Sequence, residues 1–141
     1  MDAFISFDLF IGHTWQNSLE YMRIVEILNE APHFYWRNYS LWEKDAIINT
    51  DSEFGKAELK QKLEEQIKYV DLVLICADQY ISHPYWIEQE VAIAAKFKKP
   101  LVVVKPYANE RTPVLLALNA KELVDWQSSS IVAAIKKHGG K

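Results

Sequence analysis

The sequence predicts an α/β fold, a single doubly wound parallel sheet of five strands. Three observations carry that prediction. Strand-like and helix-like segments alternate from one end of the 141 residues to the other. Two of the apolar runs, Leu72 to Ala77 and the Leu101 to Val104 part of a strand taken to end at Lys105, are continuous instead of alternating with polar residues. Such runs belong to strands covered on both faces, as parallel strands are. Prolines and cap residues fall between the segments and rarely inside them.

The first strand lies within Phe4 to Gly12, with Asp8 to Ile11 as its central part. Gly12-His13-Thr14 makes the turn that follows. A first helix starts near Asn17 or Ser18, both good caps, and carries Leu19, Met22, Ile24, Val25 and Leu28 at helical spacing until Pro32. A weaker strand falls within His33 to Tyr39. Residues 40–54 show no periodicity, only turn formers and acids, and a loop of that length is either a functional lid or a surface excursion. A second helix spans Ala57 to Tyr69, with Leu59, Leu63, Ile67 and Val70 on one stripe, and Asp71 breaks it.

After the buried strand from Leu72, a third helix follows Pro84, which suits a first helical turn. It closes at Lys98-Lys99, cations at the negative end of the helix dipole, before Pro100. The strand from Leu101, a helical turn over 113–118, a short strand over 122–124 and a last helix over 130–137 complete the chain. The result is a Rossmann-like, flavodoxin-like domain spanning 1–141. Its core runs from about residue 8 to 138, with 1–7 an extension and 138–141 a tail. Ligands of such sheets bind at the carboxyl ends of the strands.

Composition narrows the function. A net charge of −3, with Lys and Arg dispersed among acids, leaves no footprint for nucleic acid or an anionic membrane. No stretch is long enough to span a bilayer, and Met1-Asp2-Ala3-Phe4 lacks the basic start of a secretory signal, so a cytoplasmic protein is expected. The lone Cys76 sits in an apolar run and reads as a buried structural thiol. His33, His83 and His138 lack metal-ligand spacing, and no metal site is expected.

The informative residue is Glu90. On a helical wheel, Ile93, Trp86, Phe97, Glu90, Ala94, Ile87, Val91 and Ala95 form one broad apolar arc, while Glu88, Gln89, Lys96 and Lys99 lie opposite. Glu90 therefore projects from the middle of a buried face. A carboxylate there is paired, protonated or facing a polar cavity, since an unpaired buried charge costs several kcal/mol. The alternatives are a Glu bonded to backbone or to Arg37, and a catalytic or ligand-binding Glu at the sheet edge. The Gly12-His13-Thr14-Trp15 turn can present backbone N–H groups to a phosphate, although one glycine is also what an ordinary βα turn contains. Asp8, near a strand end, is a candidate phosphosite of receiver type, with no acidic cluster beside it.

Ser82, Trp86 and Glu90, in SHPYWIEQEV followed by KKPLVVV, resemble the W-x-x-x-E core of TIR domains. DLFIGHTW, YWRNYSLWEKD, KPYANERTP and VDWQSSSIVAAIKKH are similar to the TIR-like branch of Thoeris anti-phage defence, and the resemblance runs from Asp8 to His138. Ile87 stands where many TIR domains have Cys, Gly12 where a small polar residue is common, and the aromatic-rich loop of receptor TIR domains is replaced by residues 40–54.

The resemblance implies NAD cleavage with Glu90 as the catalytic residue, NAD as substrate and no bound cofactor. It implies ligand contacts from Gly12, His13, Thr14, Trp15, Tyr39, Ser40, Asp45, Ser82 and Trp86. It also implies a cyclic ADP-ribose-type second messenger read by a separate effector protein, and self-association of the chain. Two other readings compete. One is a non-catalytic TIR-like or receiver-like interaction module. The other is an enzyme like the nucleoside deoxyribosyltransferases, which use a comparable Glu, although Trp86 and residues 40–54 fit them less well.

Overall fold

The computed structural model describes residues 5–12, 19–40, 52–82, 84–107 and 111–140, with only the backbone of residues 81 and 82. In chain order the elements are β1 (Ser6–Ile11), α1 (Leu19–Glu30), β2 (Tyr35–Asn38), α2 (Glu53–Ile67), β3 (Leu72–Cys76), α3 (Ala77–Ser82), α4 (Pro84–Lys96), β4 (Leu101–Val104), α5 (Val114–Asn119), β5 (Glu122–Val124) and α6 (Ser128–His138). All neighbouring strands are parallel, in the order β2-β1-β3-β4-β5. This is the flavodoxin-like order expected of a doubly wound sheet.

Side chains alternate across the sheet with period two. Leu72, Leu74, Cys76, Val102 and Val104 join Tyr21, Ile24 and Leu28 of α1 and Ile131, Ala134 and Ile135 of α6 on one face. On the other face Val73, Ile75, Leu101 and Val103 meet Leu59, Leu63 and Ile67 of α2, Ile87, Val91 and Ala94 of α4, and Leu116 of α5. Every residue of β3 and β4 is buried, which explains their uninterrupted apolar composition.

Several boundaries differ from the sequence expectation: β1 begins at Ser6 and buries Phe7, inside the stretch 1–7 expected to be an extension, and α6 begins at Ser128, two residues early. The α2 helix begins at Glu53, inside the segment expected to be loop, because the Ser52 hydroxyl accepts the Gly55 N–H at 2.9 Å. The periodicity conceals this start, since Phe54 is exposed. Its other end comes early, at Ile67, and Asp71 is drawn into register with β1: its N–H donates to Asp8 O at 2.7 Å and its carboxylate accepts the Asp8 N–H at 2.8 Å.

The residue after Cys76 starts a helix: Ala77 heads α3, six residues that are too few to show a period. Finally, α4 closes at Lys96, and Lys98 takes a left-handed conformation, φ 57°. Lys98 N–H donates to Ala95 O and Lys99 N–H to Ala94 O, a Schellman closure made without glycine.

No helix among the described residues is long and apolar enough to cross a membrane.

Candidate active site at the sheet edge

The helices after β1 and β3 pack on opposite faces, so the chain parts between these two strands at their carboxyl ends. That is the topological switch point, where ligands of doubly wound sheets bind. Gly12 stands there, its N–H donating to Leu74 O at 2.7 Å and holding β1 against β3 to the end of the ladder.

Glu90 reaches the same point. Helix α4 starts at the carboxyl edge, and Glu90 lies on its buried stripe with Trp86, Ile87, Val91, Ile93 and Ala94. Ala95, expected on that stripe, is exposed instead, at the end nearer the surface. Only 1% of Glu90 is accessible. A Cβ at position 12 would come within 2.6 Å of Glu90 Oε1 and 2.8 Å of Ile75 Cγ1. The missing side chain of Gly12 is therefore what lets the carboxylate rest against the end of β1.

The guanidinium weighed as a partner for Glu90 forks onto another acid. Arg37 Nε and Nη2 donate to Asp8 Oδ1 and Oδ2 at 2.7 and 3.0 Å. Asp8 pairs with Arg37 across the strands, inside β1 and before its carboxyl end. The bond to Asp8 raises the Arg37 pKa further.

Ser40 is buried, and its hydroxyl accepts the Ile11 N–H at 2.8 Å. Tyr39 N–H donates to Leu9 O at 2.8 Å, and its half-buried side chain packs on the cluster beneath α2 and α4. Trp86 belongs to that cluster, 8% exposed, with Tyr85 edge-on at 4.8 Å. The structure thus brings Gly12, Ser40 and Glu90 to one edge and seats Trp86 one helical turn before Glu90. His13, Thr14, Trp15, Asp45 and the Ser82 side chain lie outside the described residues.

Two residues escaped the sequence reading. Gln79, the third residue of α3, is 2% exposed, and with Ser40 and Glu90 it completes the buried polar side chains among the described residues. Ser40 and Gln79 follow the carboxyl ends of β2 and β3. The available signal was a polar residue close behind an all-apolar run. Tyr21, on the buried face of α1, accepts the Asn38 amide at 2.9 Å. Burial pushes its pKa up, and hydrogen bonds from Asn38 and Ser40 work the other way. Elsewhere on this edge, Tyr107 N–H donates to Asp78 Oδ2 at 2.9 Å, tying the β4–α5 connection to the start of α3. Among the described residues, no group of three or more His, Cys, Asp or Glu side chains is placed to hold a metal.

Chemically, the arrangement offers one desolvated carboxylate at a point where two backbone segments diverge. A carboxyl group that ionises in such surroundings acts on developing positive charge with little screening by water.

Comparison with known proteins agrees with this architecture. A 2-deoxyribosyltransferase from Bacillus psychrosaccharolyticus superimposes with a TM-score of 0.61 at 13% identity, covering 88% of this chain and 89% of that one. Two further structures give TM-scores of 0.48 at 12% identity. They are a 3-dehydroquinate dehydratase-like protein from Bifidobacterium longum, covering 96% of both chains, and the CMP N-glycosidase BcmB of Clostridium botulinum, covering 92% of this chain and 98% of the other. At such identities the likeness to the first establishes the fold. No curated protein sequence matches the chain. The sequence model of the family described as Thoeris protein ThsB, TIR-like domain, matches residues 4–111, which take in β1 through β4 and both Gly12 and Glu90. By that match, the chain belongs to the Thoeris ThsB TIR-like domain family.

Proposed function

We propose that this protein cleaves the nicotinamide N-glycosidic bond of NAD with Glu90 as its catalytic carboxylate, and forms a cyclic ADP-ribose-type second messenger in anti-phage defence. The observation that carries the proposal is the Glu90 carboxylate, buried at the switch point against Gly12. Membership of the Thoeris TIR-like family supports the choice of substrate and the defence role.

The chemistry asks for one acid. Glycosidases acting on ordinary sugars pair two carboxyl groups, one to protonate the departing oxygen. The nicotinamide of NAD is already a pyridinium cation; when the bond to ribose C1 breaks, it takes the electron pair and leaves neutral. Positive charge passes to the ribose as an oxocarbenium-like centre, which the Glu90 anion stabilises. Attack on C1 by an adenine nitrogen or a ribose hydroxyl of the same molecule then closes a ring, the attacking hydroxyl losing its proton in that case. Attack by water gives ADP-ribose.

In this reading the Gly12, His13 and Thr14 amides receive the pyrophosphate and Trp86 supplies an apolar wall. Tyr39 and Asp45 close over the ligand, with Trp15 and Ser82 as further contacts. Ser40, expected beside Tyr39 and Asp45, has its hydroxyl engaged by the Ile11 N–H. The reaction runs in the cytoplasm, and a separate effector protein reads the product. Self-association of the chain accompanies activity.

The test is mass spectrometry of products after incubation with NAD, using purified protein and lysates of phage-infected cells that express it. Glu90→Ala and Glu90→Gln are expected to lower turnover by about a hundredfold or more. Unchanged products in these variants would sink the proposal. A parallel incubation with deoxynucleosides separates the transferase alternative: free base from them, with NAD untouched, would favour it.

A further inference from the structure

At the edge where β2 leaves β1, a side chain replaces the backbone in the ladder. Parallel strands exchange evenly spaced, slanted bonds. The last backbone bond here is Tyr39 N–H to Leu9 O at 2.8 Å. The next rung belongs to the Ile11 N–H, and a side chain takes it: Ser40 Oγ accepts at 2.8 Å. The Ser40 backbone is itself turned inward, its N–H donating to Asn38 Oδ1 at 2.9 Å.

The hydroxyl continues the chain of bonds. The Ser40 hydroxyl is also hydrogen-bonded to the Tyr21 phenol, whose oxygen accepts Asn38 Nδ2 at 2.9 Å. Ser40, Asn38 and Tyr21 thus form a closed circuit, and the bond from Ile11 N–H to Ser40 Oγ ties β1 to it, so that α1, β1 and β2 are held together. Tyr21 is 3% and Ser40 3% exposed, so water does not compete for these bonds. The residue after Ile11 is Gly12, on which the Glu90 carboxylate rests.

We infer that Ser40 and Tyr21 are positioning residues for the carboxylate: by fixing the Ile11 amide they set where the Gly12 backbone lies under Glu90. The inference rests on the reading of Glu90 as catalytic. Ser40 then acts through the backbone and does not touch NAD. Loss of its hydroxyl frees the end of β1 to shift, and displacement of a catalytic group by about 1 Å can cost about a hundredfold in rate. Substrate binding spread over the rest of the edge is left in place, so the loss belongs in kcat and not in KM.

The experiment compares wild type with Ser40→Ala, Tyr21→Phe and Ser40→Thr. In the first two, kcat for NAD is expected to fall between about tenfold and about a hundredfold with KM within about twofold, and Ser40→Thr, which keeps the hydroxyl, to recover most of it. Alongside, the ¹³C carboxyl resonance of Glu90 is followed in glutamate-labelled protein, identified by its absence in Glu90→Gln. It is expected to move in Ser40→Ala and Tyr21→Phe while the amide spectrum otherwise keeps its wild-type dispersion.

Variants that melt lower but keep wild-type kcat and an unmoved Glu90 resonance would overturn the inference, leaving the circuit as scaffolding. If Ser40→Ala does not fold, Tyr21→Phe decides, since it keeps the ring and removes only the phenol oxygen that holds the Ser40 hydroxyl in place under the Ile11 amide. If wild type leaves NAD intact, the proposed reaction fails, and the resonance alone judges the positioning role.

Discussion

A single methyl group at position 12 has nowhere to go, because Glu90 Oε1 and Ile75 Cγ1 already occupy its surroundings. The Ile75 contact is core and cannot withdraw freely; the carboxylate is the end that moves. Gly12→Ala is therefore expected to cost about 1–3 kcal/mol of stability, the usual range for overpacking. NAD consumption should fall well beyond what the unfolded fraction explains. Urea denaturation and turnover measured on the same preparation check both, and full turnover at reduced stability would contradict the carboxylate's place in the site.

Cys76 tests burial in another way. Its thiol is fully enclosed at the end of β3, and desolvation pushes its pKa well above the ordinary thiol value, with the acids Glu20 and Asp78 adding to the shift. A folded value above the unfolded one means stability that is complete below about pH 8.5 and is lost as pH rises toward the folded value. Alkaline unfolding of Cys76→Ala should therefore show a shallower pH slope than wild type. In native protein at neutral pH, a thiol reagent should label Cys76 only at the rate of unfolding.

Among the elements, α4 carries the site and shows how pattern and place divide. Its buried stripe was legible from the spacing of Trp86, Ile87, Glu90, Val91 and Ala94, and Pro84 marked its first turn correctly. Its end was less legible, because a left-handed closing residue is normally glycine and here is Lys98. Lys98→Gly is expected to raise stability by about 0.5–1 kcal/mol, since glycine takes this backbone conformation without a steric penalty. A calorimetric melt that shows no increase would place the strain of that closure elsewhere. The helix α2 start illustrates the opposite case: Ser52 was present as a cap signal, but the exposed Phe54 and the early Gly55 broke the stripe that would have drawn attention to it.

At the scale of the molecule, β3 lies at the centre of the sheet with all five residues buried, while β2 and β5 form its edges. Opening the centre requires breaking both apolar layers at once; opening an edge breaks part of one. Native-state hydrogen exchange should accordingly find the slowest amides in β3 and β4 and faster ones in β2. Protection of β2 equal to that of β3 would argue that the sheet opens only as a whole.

The sequence alone determined the α/β class, the five strands and the inward direction of Glu90, because each depends on periodicity read along a continuous segment. Tertiary structure decided which groups meet: Glu90 against Gly12, Arg37 on Asp8, and Ser40 under Ile11. A hydrogen bond or a steric contact depends on distances of a few ångströms between residues far apart in the chain, and those distances exist only once strand order and register place β1 between β2 and β3.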